Sequence, residues 1–152
     1  MSNAHDRLLQ KIETFICLSE RLAKLSTCKR AQVGAIVVPR DFSKILSIGY
    51  NGPAAKIEND SCENEEGACG CIHAEANSII KLHKNDERCC RMLCTTSPCV
   101  TCAGLIINSG AISHVLYRNT YRDERGINIL RKCGIQVGSI GDIHSVAIQE
   151  WW

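Results

Sequence analysis

Two short segments carry side chains able to do metal chemistry: His73-Ala74-Glu75 and Pro98-Cys99-Val100-Thr101-Cys102. Cys99 and Cys102 are three apart, so on a helix their sulfurs leave the same face. In the first turn of a helix, unpaired N–H groups and the macrodipole favour the thiolate. Two thiolates and the His73 imidazole supply three zinc ligands and leave the fourth tetrahedral vertex to water. That is the arrangement of a catalytic site rather than a closed structural one. Zinc lowers the pKa of such a water to about 7, so hydroxide is available near neutral pH. Displacing ammonia from an amidine-like carbon also requires a proton on the ring nitrogen and another on the leaving amine. Glu75, two residues from His73, is placed to carry both without being a ligand itself.

The elements that must hold these residues follow from periodicity and punctuation. Residues 6–25 place Leu8, Ile12, Phe15, Ile16, Leu22 and Leu25 at helical spacing between Lys, Glu and Arg. Val33 to Val38 is an apolar, β-branched run suited to a central strand, and 45–50 reads as the second arm of a hairpin. Gly49-Tyr50-Asn51-Gly52-Pro53 then turns sharply, and 53–70 is a polar loop long enough to need a function or a tether. From 72 to 83 the pattern is helical, with Ala76, Ile79, Ile80 and His83 on one side. Residues 92–95 read as a strand. Ser97, as N-cap, and Pro98, in the first turn, open a helix that runs to about Asn108 and stops at Gly110. A strand over 114–117, a helix over 123–133 ended by Gly134 and a strand over 135–137 complete the order. Such alternation predicts an α/β protein with helices on both faces of a mixed sheet.

Composition narrows the function classes. The chain has 152 residues, 45% apolar and 22% charged, which suits one domain spanning 1–152 with its own core. A formal charge of +2 is too small to suggest a nucleic-acid partner or an anionic membrane surface. No run approaches the ~18 apolar residues of a membrane span, and the amphipathic start holds no signal-peptide core, so a cytoplasmic location is expected. The 11 cysteines, an odd number, then favour metal binding or burial over a disulfide framework. Cys17, Cys94 and Cys133 lie in apolar stretches and are expected as small buried hydrophobes.

His-x-Glu followed by Pro-Cys-x-x-Cys is the zinc-deaminase signature. With Ser26-Thr27-Cys28-Lys29-Arg30, Val33-Gly34-Ala35-Ile36-Val37-Val38, Gly49-Tyr50-Asn51-Gly52, His73-Ala74-Glu75-Ala76-Asn77, Leu105 to Gly110 and Tyr121-Arg122-Asp123, the chain resembles the cytidine and deoxycytidylate deaminase superfamily. The pattern is most like its dCMP-acting branch. The resemblance covers about Leu22 to Val137. It implies a three-layer α/β/α fold around a five-stranded mixed sheet, with His73, Cys99 and Cys102 as zinc ligands and Glu75 as proton shuttle. It implies further that Asn51 meets the sugar, that the Ala74 N–H holds the pyrimidine carbonyl, and that dCMP is converted to dUMP and ammonia. A phosphate needs fixed cationic or hydroxyl donors; Lys29, Arg30, Arg122 and Tyr121 are the candidates by motif neighbourhood. Similar enzymes assemble as homo-oligomers, hexamers among them, and respond to dCTP and dTTP, although the loop after Gly52 departs from the usual pattern. Related proteins also pin that loop with a structural zinc, for which Cys28, Cys62, Cys69 and Cys71 are candidates here. Four thiolates would close such a site, but Cys69-Gly70-Cys71 is tight for ligand spacing and Cys89-Cys90 competes.

Other readings differ in what they leave unexplained. The same chemistry on dCTP, cytidine, a guanine base or tRNA adenosine changes only the substrate, and tRNA calls for a more basic surface. A zinc-stabilised binding module gives Glu75 no purpose. A thiol oxidoreductase using Cys99 and Cys102 gives none to His73 or Glu75.

Overall fold

The computed structural model describes residues 2–28, 30–57, 70–83 and 88–143. Its centre is a five-stranded mixed sheet. Strand β1 (Gly34–Val38) is buried along its whole length because both faces are covered, which is why its sequence is continuously apolar. It pairs antiparallel with β2 (Ser47–Tyr50), from Gly34 opposite Tyr50 to Val37 opposite Ser47. On its other side it pairs antiparallel with β3 (Cys90–Thr96). Strands β3, β4 (Ile112–Asn119) and β5 (Gln136–Ser139) are parallel, giving the order β2-β1-β3-β4-β5. Parallel neighbours need crossovers. Helices α3 (Val100–Ser109) and α4 (Arg125–Lys132) supply them.

Two cores flank the sheet. Helix α1 (Ser2–Ala23) presses Leu8, Ile12 and Ile16 onto Ile36, Val38, Leu93 and Leu116. The turn at Phe42 takes a positive φ of 55° and sends its ring into this core beside Phe15. Ile140 and Ile143 of the short α5 (Ile140–Ile143) join the same core. On the opposite face, α2 (Ala74–Ile80), α3 and α4 cover Ala35, Val37, Met92, Cys94, Val115 and Val137. Helix α2 lies so close to β2 that a Cβ on Gly49 would sit 2.1 Å from the Ala74 carbonyl oxygen. Helix α3 ends at Gly110, whose φ of 65° closes the C-cap. No helix among the described residues is long and apolar enough to cross a membrane.

Several sequence expectations need correction. Cys17 and Cys133 are exposed, not buried. Cys17 falls one helical step past Ile16, away from the sheet, and its thiol donates to a Glu13 carboxylate oxygen at 3.5 Å. Cys133 is the C-cap of α4, where the chain turns to solvent. Ile80 is 72% exposed at the end of α2, and His83 is exposed beyond it. The side of α2 that packs inward is instead Ala74, Glu75, Ala76 and Ser78. Cys94, by contrast, is fully buried.

Candidate metal centre and active-site pocket

Both chemistry-bearing segments lie at one edge of the sheet, where β3 and β4 end and α2 and α3 begin. His73 is the N-cap of α2, extended at φ −69° and ψ 156°, and its carbonyl accepts the Asn77 N–H at 2.9 Å. Just before it, Ile72 and Gly52 exchange two backbone hydrogen bonds of 2.8 and 3.1 Å, tying this segment to the turn after β2. Cys99 is the N-cap of α3, and Cys102 is the helix's third residue. This corrects the expected helix start. Helix α3 begins two residues later, and the Ser97 hydroxyl accepts the Tyr121 N–H at 2.7 Å instead of capping the helix. The start of α3 is held from below. A Cβ on Gly126, in the first turn of α4, would lie 2.1 Å from the Pro98 carbonyl oxygen, so the two backbones pack directly.

These supports bring the three predicted ligands together. His73 Nδ1 is 3.4 Å from Cys102 Sγ and 3.6 Å from Cys99 Sγ, and all three donor atoms lie within 4.8 Å of one another. With Zn–S of ~2.3 Å and Zn–N of ~2.0–2.1 Å, a tetrahedral ion separates its nitrogen and sulfur ligands by about 3.5 Å. The donor set fits zinc in type and in spacing. A hydrogen bond between the two sulfurs, followed by one from His73, holds the Cys99 thiol down to about 4. The same sulfur–sulfur bond, followed by burial, pushes the Cys102 thiol up. Holding a divalent cation would require both sulfurs as thiolates.

Glu75, second residue of α2, is only 4% exposed, and burial pushes its carboxyl up. It stays in hydrogen-bonding reach of its own backbone N–H and of Cys102. His73 and Glu75, with Asn51, Ala74, Tyr121 and Arg122, border one cavity of about 660 Å³. Asn51 is 7% exposed; its Oδ1 accepts the Val33 N–H and its Nδ2 donates to the Ala31 carbonyl, both at 2.8 Å. By donor count, one amide hydrogen and one lone pair remain to face the cavity. The Ala74 N–H, at the first helical position, has no acceptor within α2. Arg30 also borders the cavity, whereas Lys29 lies outside the described residues. Cys28 and Cys71 line the same cavity, and Cys62 and Cys69 lie outside the described residues.

Sequence reasoning missed Thr96, Asn119 and Thr120, which also line the cavity. Their signal is positional: they lie at or just past the carboxyl ends of β3 and β4, where open α/β sheets bind ligands.

The model of the cytidine and deoxycytidylate deaminase zinc-binding region matches residues 9–118. The chain belongs to this deaminase family. It is 30% identical over 135 residues to the deoxycytidylate deaminase of Saccharomyces cerevisiae, covering 81% of this chain and 42% of that protein. It is 32% identical over 120 residues to that of Mycobacterium phage D29, covering 69% of this chain and 91% of the phage protein. The chain therefore spans about two-fifths of the yeast relative but nearly all of the phage one. The structure of dCMP deaminase from cyanophage S-TIM5, in complex with dCMP and dUMP, superposes with a TM-score of 0.75 at 35% identity. That match covers 84% of this chain and 94% of the cyanophage chain. The five-stranded mixed sheet with its flanking helices is the cytidine deaminase-like fold, and the His/Cys/Cys group fits a zinc site of this zinc-binding family.

Proposed function

We propose that this chain, acting as one domain over residues 1–152, is a zinc-dependent hydrolase that converts dCMP and water to dUMP and ammonia. The observation that carries the reading is the His73, Cys99 and Cys102 cluster, with the buried Glu75 beside it at the base of a cavity walled by Tyr121 and Arg122. The deoxycytidylate deaminases of yeast and phage, and the cyanophage enzyme held with dCMP and dUMP, favour a cytosine nucleotide over other amino-bearing bases.

His73, Cys99 and Cys102 would hold the zinc, which when bound supplies a Lewis acid that makes water nucleophilic at neutral pH. The chain's own residues do the rest. Glu75 takes a proton from the attacking water and delivers it to the ring nitrogen next to the reacting carbon; it then passes the remaining proton of the added hydroxyl to the departing amine, as the C–N bond breaks and the carbonyl forms. Its burial keeps these transfers away from bulk solvent. The Ala74 N–H holds the pyrimidine carbonyl, and Asn51 contacts the sugar with the part of its amide not used by Val33 and Ala31. Tyr121, Arg122, Arg30 and Lys29 are the phosphate contacts of this reading.

Assaying dCMP, dCTP, cytidine, a guanine base and a tRNA anticodon loop side by side tests it. The expected result is turnover of dCMP well above the others. A clear preference for the unphosphorylated nucleoside or for tRNA would replace the substrate.

A second, structural zinc belongs to the same proposal, since Cys28 and Cys71 border one cavity. Two equivalents of zinc per purified chain support it, and one equivalent removes it. The reading also includes a homo-oligomer, a dimer or hexamer, responsive to dCTP or dTTP and working in the cytoplasm. Light scattering with and without these nucleotides tests the assembly.

A further inference from the structure

We infer that Ser97 is a positioning residue that fixes the Tyr121–Arg122 wall relative to the metal ligands and thereby sets selectivity for a nucleoside monophosphate over its nucleoside. The inference rests on the function proposed above and adds a residue to it.

Ser97 occupies a place where a helix cap would be expected, yet α3 does not use its hydroxyl. The side chain is 2% exposed, and its Oγ accepts the Tyr121 N–H at 2.7 Å. That is the short end of the N–H···O range. Around it the ends of β3 and β4 are laced past their last ladder pair, Thr96 with Asn119. The Ser97 N–H donates to the Asn119 carbonyl at 2.9 Å, and Asn119 Nδ2 donates to the Thr95 carbonyl at 3.1 Å.

Five residues beyond Tyr121, the chain is clamped to the same tripeptide again, where Gly126 meets the Pro98 carbonyl. The strap 121–126 is therefore fixed at both ends against Ser97-Pro98-Cys99. Within it the Arg122 guanidinium lies 5.8 Å from the centre of the Tyr121 ring, so placing one places the other. The Asp123 carboxylate is engaged by Arg125, whose Nε and guanidinium NH2 donate to it at 3.0 and 2.7 Å. Its charge is thus partnered beside the cationic wall.

The consequence is a division of labour along three residues. Cys99 would hold the metal at the reacting end of the pocket, and Ser97 holds the wall that would meet the distant end of the substrate. Removing the hydroxyl leaves a Tyr121 N–H without its acceptor and unpins the wall. A phosphate contact depends on that placement, and a nucleoside makes no such contact.

The test compares kcat/KM for dCMP and deoxycytidine in wild type, Ser97→Ala, Ser97→Thr and Ser97→Val, with zinc content and Tm measured alongside. Thr and Val share a shape and differ in the hydroxyl, so any stress on the fold is common to both. The expected result is a dCMP-to-deoxycytidine ratio kept by Thr and lowered about tenfold in Ala and Val, through KM for dCMP, with zinc retained. Equal ratios in Thr and Val, or parallel losses on both substrates, would overturn the inference while the dCMP reading stands. A wild-type enzyme with no preference for the phosphorylated substrate would overturn both.

Discussion

Glu75 lies deeper than His73, although only Ala74 separates them: His73 is exposed and Glu75 is 4% exposed. Replacing Glu75 with Gln keeps the shape and removes the proton carrier. Activity should fall by about 10²-fold or more while zinc, measured by elemental analysis, stays bound; unchanged turnover would remove Glu75 as the proton carrier. Cys102, 1% exposed, is the most enclosed of the three proposed ligands, and Cys102→Ala should cost the zinc along with the activity. At this scale the sequence was most legible where chemistry demands particular residue types at short range, as in His73-Ala74-Glu75 and Cys99 to Cys102. It was least legible where a polar side chain serves backbone far along the chain. Asn51 bonds Val33 across 18 positions and Ser97 bonds Tyr121 across 24, and no local spacing reports either.

Two glycines in neighbouring helices should respond in opposite directions to the same change. Gly126 has no room for a Cβ, which would fall 2.1 Å from the Pro98 oxygen and 2.8 Å from the Cys99 carbonyl carbon. Gly126→Ala should destabilise by about 1–3 kcal/mol and loosen zinc, read from the urea midpoint and from competition with a chelator. Gly104, inside α3, has nothing within 4 Å of the point a Cβ would occupy. Gly104→Ala should stabilise by about 0.5–1 kcal/mol, because alanine restricts the unfolded chain and suits a helix. The start of α4 carries a pH signature. Arg125, through its side chain and then its backbone N–H, holds the Asp123 carboxyl down to about 2, against an ordinary 3.8. A depressed carboxyl contributes fully above the unfolded value, and its contribution fades as pH falls from about 4 through 2. Carbon-13 NMR should show the Asp123 titration moving back up towards 3.8 in Arg125→Ala. Elements with strong punctuation were readable, as Gly110 at the end of α3 shows. The start of α3 was misplaced because Ser-Pro imitates a cap, and the four residues of α5 are too few to display a period.

At the scale of the molecule, a zinc ion on His73, Cys99 and Cys102 would join the starts of α2 and α3, while two separate cores hold those helices and α1 to the sheet. Zinc should therefore add to stability without being a condition of folding. With free zinc at 100 times its Kd, binding contributes ~2.7 kcal/mol. For a chain of this size each kcal/mol moves Tm by roughly 2–4 °C. Treatment with phenanthroline should then lower Tm by about 5–10 °C and leave the far-ultraviolet circular dichroism near its starting value; collapse of the helical signal would contradict the two-core account. Layer order followed from the alternation of strand and helix patterns. Strand order did not, because nothing in the run of β1 states that β3 lies beside it. The sheet also tapers, from strands of 7 and 8 residues at β3 and β4 to 4 each at β2 and β5, its two rims among the described residues. Rims that short give an incoming strand few backbone partners. Copies of this protein that meet in a crowded solution should consequently recognise one another through side chains on helices and loops, with little tendency to fuse their sheets and grow as fibres.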